Sequence, residues 1–202
     1  MSRDRTNSWV PAEGLLDEKS SWRILSLPVP KFGLRVLLVV VTVLFLLLGT
    51  SYLVRMQVWD WRPLQEPGIL VANTGVLILS SIALQWAKAC AETDRIKEVR
   101  QGFLVAGILT CVFLAGQLYA WSEIRDTAVF LERNPSTSFF YLVTLIHGLH
   151  LVGGLVAWVR TSLRIRRGVA IAQVRMSIEM CAVYWHFLLA VWLVFYGLML
   201  ST

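Results

Sequence analysis

Residues 34–54 read LRVLLVVVTVLFLLLGTSYLV: 21 positions with one charge, Arg35, and no proline. A bilayer core is crossed by roughly 20 consecutive, mostly apolar residues in a helix. Four further stretches meet that requirement, Gly68–Ala89, Gly102–Trp121, Phe139–Val159 and Met180–Leu200. None alternates apolar with polar as a barrel strand does, and only a helix or a closed barrel satisfies its backbone in lipid. The chain is therefore expected to be an all-α polytopic membrane protein. Five transmembrane helices occupy residues 31–202, after a tail at residues 1–30.

Charge sets the expected orientation. The chain has 202 residues, of which 56% are hydrophobic and only 16% charged. Fifteen of its 19 Lys and Arg residues fall on alternate links. They lie on the N-terminal side (Arg3, Arg5, Lys19, Arg23, Lys31, Arg35), on the second link (Lys88, Arg95, Lys97, Arg100) and on the fourth (Arg160, Arg164, Arg166, Arg167, Arg175). The opposite side has Arg55, Arg62, Arg125 and Arg133. Basic loops stay in the cytoplasm, so the N-terminus is expected there and the C-terminus in the periplasm. The net charge of +6 then lies along one membrane face, where it meets anionic lipid rather than nucleic acid. Residues 1–30 lack the apolar core and cleavage site of a secretory signal, so the first helix is expected to act as an uncleaved insertion signal.

The tail contains Trp9, Trp22, Ile24, Leu25 and Leu27, then Pro28 and Pro30, which are expected to end regular structure. The first link, with Trp59, Trp61, Pro63 and Pro67, reads as an ordered interfacial turn. The third, Ser122–Ser138, has Glu123, Asp126, Glu132 and Pro135. Cys90, Cys111 and Cys181 show no paired spacing and read as packing residues.

Polar groups at membrane depth are costly and mark candidate sites. The fourth hydrophobic stretch contains His147-Gly148-Leu149-His150, whose imidazoles share a helix face. Gly148, Gly153 and Gly154 there allow close approach of a neighbour. Arg175, Glu179 and His186 share a face at the fifth, where Arg175 can pair with Glu179. The adjoining Tyr184-Trp185-His186-Phe187 is a dense aromatic and polar patch. Asn73, Thr74, Ser80 and Ser81 in the second, and Gln117 in the third, are expected to bond to backbone or across helices. Three His and one Glu is the smallest set for a transition-metal site, and bis-His haem ligation needs only two facing imidazoles. The His are split unevenly over two helices, however, and no second intramembrane Glu is present to build a di-metal site. A stand-alone haem or metal membrane protein stays an alternative. The absence of repeats and broken helices argues against a transporter, and no Ser or Cys stands in a nucleophile setting.

The same residues resemble subunit III of the haem–copper terminal oxidases. Residues 179–187, EMCAVYWHF, followed by Val191-Trp192-Leu193, are similar to the family's closing helix. Residues 140–153, FYLVTLIHGLHLVG, are similar to its His-Gly-x-His helix. Asn73-Thr74 with Leu77 and Ser80-Ser81 resembles a third motif. Weaker likenesses are Lys31-x-Gly33, Arg55 with Trp61-x-Pro63, and Gln117. The resemblance runs from about Lys31 to Leu200, in the order of the short five-helix bacterial form.

That resemblance implies a non-catalytic subunit in a bacterial inner membrane, without an active site of its own. It would be packed against catalytic subunit I and other oxidase subunits and would bind no cofactor itself, the haem and copper lying in the partner. It further implies a cleft of tightly held phospholipids, proposed as an oxygen path. Arg175, Glu179, His186, Trp185, His147 and His150 would anchor lipid or brace helices, with Arg160, Arg164, Arg166 and Arg167 contacting phosphate. Asn73, Thr74, Ser80, Ser81, Gln117, Gly148 and Gly153 would pack helices. Three acids usual in the family are replaced, by Val41, Ala120 and Ala190. The first of these is associated with proton uptake near the catalytic subunit. An accessory subunit of a related complex, such as a nitric oxide reductase or a supercomplex, is the second alternative.

Overall fold

The computed structural model describes residues 29–59, 61, 68–128 and 135–201. They form five helices: α1 Val29–Met56, α2 Ile69–Glu92, α3 Ile96–Ala128, α4 Pro135–Arg166 and α5 Ile171–Leu200. All five are long and apolar enough to cross a membrane. The tail upstream of Val29 and most of the first link lie outside the described residues.

The helices run past the apolar stretches that predict them. α3, with 33 residues, is about 50 Å long at 1.5 Å per residue, against about 30 Å of hydrocarbon. Helical hydrogen bonding does not stop where the lipid does, and Arg, Lys and Glu are good helix formers. Arg160, Arg164, Arg175 and Glu179 are accordingly helical, not in links. Pro30 stands in the first turn of α1 and Pro135 opens α4. Both are positions where the missing amide hydrogen is of no consequence, so Pro30 does not end structure as the sequence suggests.

Two short turns join helices at the basic end. After α2 the amide of Arg95 bonds back to the Cys90 carbonyl at 3.1 Å. After α4 the amides of Gly168 and Val169 bond to the carbonyls of Ile165 and Arg164. Both are Schellman-type ends, which require a left-handed residue. Asp94 (φ 53°) and Gly168 (φ 75°) supply it.

α2 and α3 form the most extensive helix pair. α5 lies across α2, and α4 packs against both α3 and α5. One apolar core joins these four helices, with Leu77, Phe103, Phe113, Trp185 and Trp192 fully enclosed. α1 sits at the edge on α5 and α4, held at mid-length by Val41 and Phe45 against Val143 and Phe195. Further along, Tyr52 packs edge-on to Trp61 and Phe139.

Candidate functional site

The successive residues Tyr184, Trp185, His186 and Phe187 are 100° apart around α5. Each therefore reaches a different neighbour, and the expected patch is dispersed. The Tyr184 hydroxyl donates to the His150 carbonyl on α4 at 3.0 Å. The Trp185 indole donates to Thr110 on α3 at 3.0 Å. Phe187 packs toward Val41 and Phe45, and His186 faces outward.

Trp185 belongs to a buried polar network. Thr110 also meets Ser80 at 2.8 Å, and Ser80 lies 2.9 Å from the Ala106 carbonyl. Higher up, the Asn73 amide donates to the Phe113 carbonyl and to Gln117 Oε1, both at 3.0 Å. The Trp192 indole donates to Thr74 at 2.9 Å, and Thr74 donates to the Leu70 carbonyl. Asn73, Thr74, Ser80 and Gln117 thus bond as the sequence predicts. Ser81 Oγ is buried without a partner among the described residues.

Of the three glycines expected to permit close contact, only Gly154 does. A Cβ on Gly148 would meet only Leu114, at 3.9 Å, and one on Gly153 nothing. The tight positions are Gly154 against Tyr184, Gly102 against Ala87, Gly107 against Trp158 and Gly116 against the Asn73 amide. The Trp158 indole donates to the Phe103 carbonyl at 2.8 Å, which fixes that ring over Gly107. Thr110, Trp158, Gly107 and Gly116 were illegible beforehand, because residues of these types recur throughout apolar helices.

The imidazoles fare differently from one another. His147 is fully enclosed by Phe45, Phe113 and Trp192, and neither ring nitrogen has a partner among the described residues. It is a packed ring, in contact with aromatic side chains of three other helices. His150 Nδ1 lies 2.7 Å from the Ile146 carbonyl and His186 Nδ1 2.6 Å from the Ala182 carbonyl. A carbonyl only accepts, so in both rings Nδ1 carries the proton and Nε2 presents a lone pair. Among the described residues no three His, Cys, Asp or Glu side chains come together.

Between α1, α4 and α5 a groove of about 640 Å³ opens at the basic end. Leu34 and Leu37 form one wall, Met180, Cys181 and Tyr184 another. Its α4 wall runs from Arg164 and Arg160 to Gly153 and His150, about 21 Å along the helix. Of the residues singled out from sequence, His150, Gly153, Gly154, Cys181, Tyr184, Trp185, Arg160 and Arg164 line it. Arg175, Glu179 and His186 lie on another face of α5. Glu179 Oε2 accepts from Lys31 Nζ on α1 at 2.9 Å, a tie across helices in place of the expected bond to Arg175.

Comparison with known proteins gives the arrangement a family. The profile of cytochrome c oxidase subunit III matches residues 58–201. The chain belongs to the cytochrome c oxidase subunit III family. Cytochrome c oxidase subunit 3 of Thermostichus vulcanus is 28% identical over 172 residues, covering 83% of this chain and 84% of the relative. The same subunit of a Synechocystis species is 29% identical over 171 residues, covering 82% and 72%. A probable subunit 3 from Mycobacterium bovis reaches 33% over 126 residues, 61% of each chain.

The three positions at which the resemblance leads one to expect an acid have a physical setting. Val41 is 2% exposed among apolar side chains and Ala120 is fully buried. An acid at either would be buried, which is costly unless it is paired. Ala190 is exposed on the outward face of α5.

Proposed function

We propose that this chain stabilises the catalytic core of a haem–copper oxidase and holds phospholipid in the groove between α1, α4 and α5. The chain lies in a bacterial inner membrane with its basic end in the cytoplasm, as positive charge predicts. The observation that carries the lipid reading is the chemistry of the groove. Two guanidinium groups, Arg160 and Arg164, stand at its mouth, and apolar side chains line most of its length. A phosphate at the mouth would accept forked, charge-assisted hydrogen bonds, with acyl chains lying along Leu34, Leu37 and Met180. Oxygen also partitions into such an apolar space, so a path toward the partner's haem and copper is compatible with it. This chain contributes shape and anchoring, and electron transfer takes place in the partner.

The test is to replace Arg160 and Arg164 together by Gln in the assembled complex. Phospholipid retained through purification is expected to fall, with haem content and spectrum unchanged at first and turnover decaying sooner. Undiminished lipid sinks the lipid reading. A core purified without this chain that keeps its cofactors, lipid and turnover stability sinks the accessory role.

A further inference from the structure

His186 creates a problem that the described residues do not solve by themselves. It is exposed, and it lies seven residues beyond Glu179, about 10 Å deeper along α5. Glu179 is already paired near the basic end, with Lys31. The imidazole is thus close to mid-bilayer, and it lacks the long stem by which Lys and Arg reach the interface. Its Nδ1–H is engaged by the Ala182 carbonyl. Its Nε2 lone pair faces outward into a region where lipid offers only hydrocarbon. A polar atom exposed there is expensive unless something bonds it.

The surroundings of His186 differ from the outer faces of α1, α3 and α4. Along α5 the exposed stripe continues through Val183, Ala190, Leu193 and Gly197. It is bordered on one side by α1, which contacts Phe187 and Phe195, and on the other by α2, which receives Trp192. The outer faces of α3 and α4 show Ile108 and Val112, and Leu145, Val152 and Val156, side chains that ask nothing of lipid. On α1 the exposed hydroxyls of Thr42, Thr50 and Ser51 are satisfied by carbonyls of their own helix. Small side chains at Ala190 and Gly197 leave room for a backbone to come near, although it is the imidazole that specifies the occupant.

We infer that a transmembrane helix of another oxidase subunit docks on the His186 stripe of α5 and supplies a hydrogen-bond donor to His186 Nε2. This rests on the accessory-subunit reading but adds the face and the chemistry of the contact. A head group cannot reach that depth and an acyl chain has no donor, so the partner is protein.

The experiment uses the assembled complex in native membranes. A photo-crosslinking amino acid is placed at Val183 or Ala190, and for comparison at Ile108 or Val152. Adducts of an oxidase subunit, identified by mass spectrometry, are expected at Val183 and Ala190 at several-fold the yield of the comparison sites. In parallel, His186→Leu is expected to lower the fraction of chain retained with the core in mild detergent at least five-fold. His186→Gln, whose carbonyl oxygen also accepts, keeps most of it. Adducts at Val183 and Ala190 with lipid alone or with a second copy of this chain overturn the inference. So does full retention of His186→Leu. Oxidase adducts confined to Ile108 or Val152 overturn the docking face and leave the accessory role standing. No oxidase adduct from any position, with no co-purification, removes both.

Discussion

The four-helix body of α2 to α5 and the edge helix α1 are all apolar enough to cross a membrane, yet they are held by different forces. In the most apolar windows of α2 and α3, 39% of residues are buried, against 11% in α1. The body is joined by hydrogen bonds that cross helices: Asn73 to Gln117, Ser80 to Thr110, Trp185 to Thr110 and Trp192 to Thr74. α1 is attached by a few aromatic contacts and the Lys31–Glu179 pair. Between helices in lipid there is no hydrophobic driving force, so close packing and polar bonds decide association. The body is therefore expected to behave as one unit and α1 as a separately attached wall of the groove.

The contrast is broken most severely where packing and hydrogen bonding coincide. Gly116→Ala puts a methyl group into the Asn73 amide. It is expected to destabilise the body by about 1–3 kcal/mol, through overpacking and displacement of both Asn73 bonds. Thermal unfolding in bicelles followed by Trp fluorescence measures it. The double variant Gly116→Ala with Asn73→Ala should lose less than the sum of the two single changes, since both act on one contact. Strict additivity would show that Asn73 and Gly116 do not meet.

A single cross-helix bond should matter less. Trp192→Phe keeps the ring that packs edge-on against Phe113 but removes the indole donor to Thr74. The expected loss is about 0.6 kcal/mol, the usual worth of such a bond in a membrane. Thr74 also donates to the Leu70 carbonyl, which limits the penalty. A loss as large as that of Gly116→Ala would mean that Trp192 acts through shape.

The same contrast explains what could be read in advance. Five spans follow from five apolar stretches, because backbone amides in lipid leave no other fold. Asn73, Thr74, Ser80 and Gln117 were legible as helix joiners because a polar side chain at that depth has few other uses. Of the small residues that matter, only Gly154 was. Gly148 and Gly153 resemble Gly116 and Gly107 in sequence, and only the crossing points of the helices separate them. Nor could spacing show that His147 would be sealed among three aromatic rings while His150 reaches the groove. Spacing ranks residues on one helix and says nothing about which neighbour covers them. The partner of Glu179 was misread for the same reason. Arg175 is near it in sequence, whereas Lys31 comes from 148 residues away.

That last pair provides the mildest test. Lys31 and Glu179 are each about a third exposed, at 33% and 40% of their side chains. A pair so open to solvent contributes only about 0.2–1 kcal/mol and is screened by salt. Lys31→Ala should therefore leave the unfolding of the four-helix body unchanged. It should move the basic end of α1 instead, because near that end only the partly buried Leu34 and Leu38 remain, while the better-buried attachments, Val41, Phe45 and Tyr52, lie further along. Spin labels at Leu37 and Val156 can follow that end. The distance distribution between them is expected to broaden in Lys31→Ala, and to broaden likewise in the parent chain at about 0.5 M salt. The exchange Lys31→Glu with Glu179→Lys should restore the narrow distribution at low salt. If Lys31→Ala leaves the distribution narrow, van der Waals packing of Leu34 and Leu38 is enough to hold α1. The groove wall would then be as fixed as the body beside it.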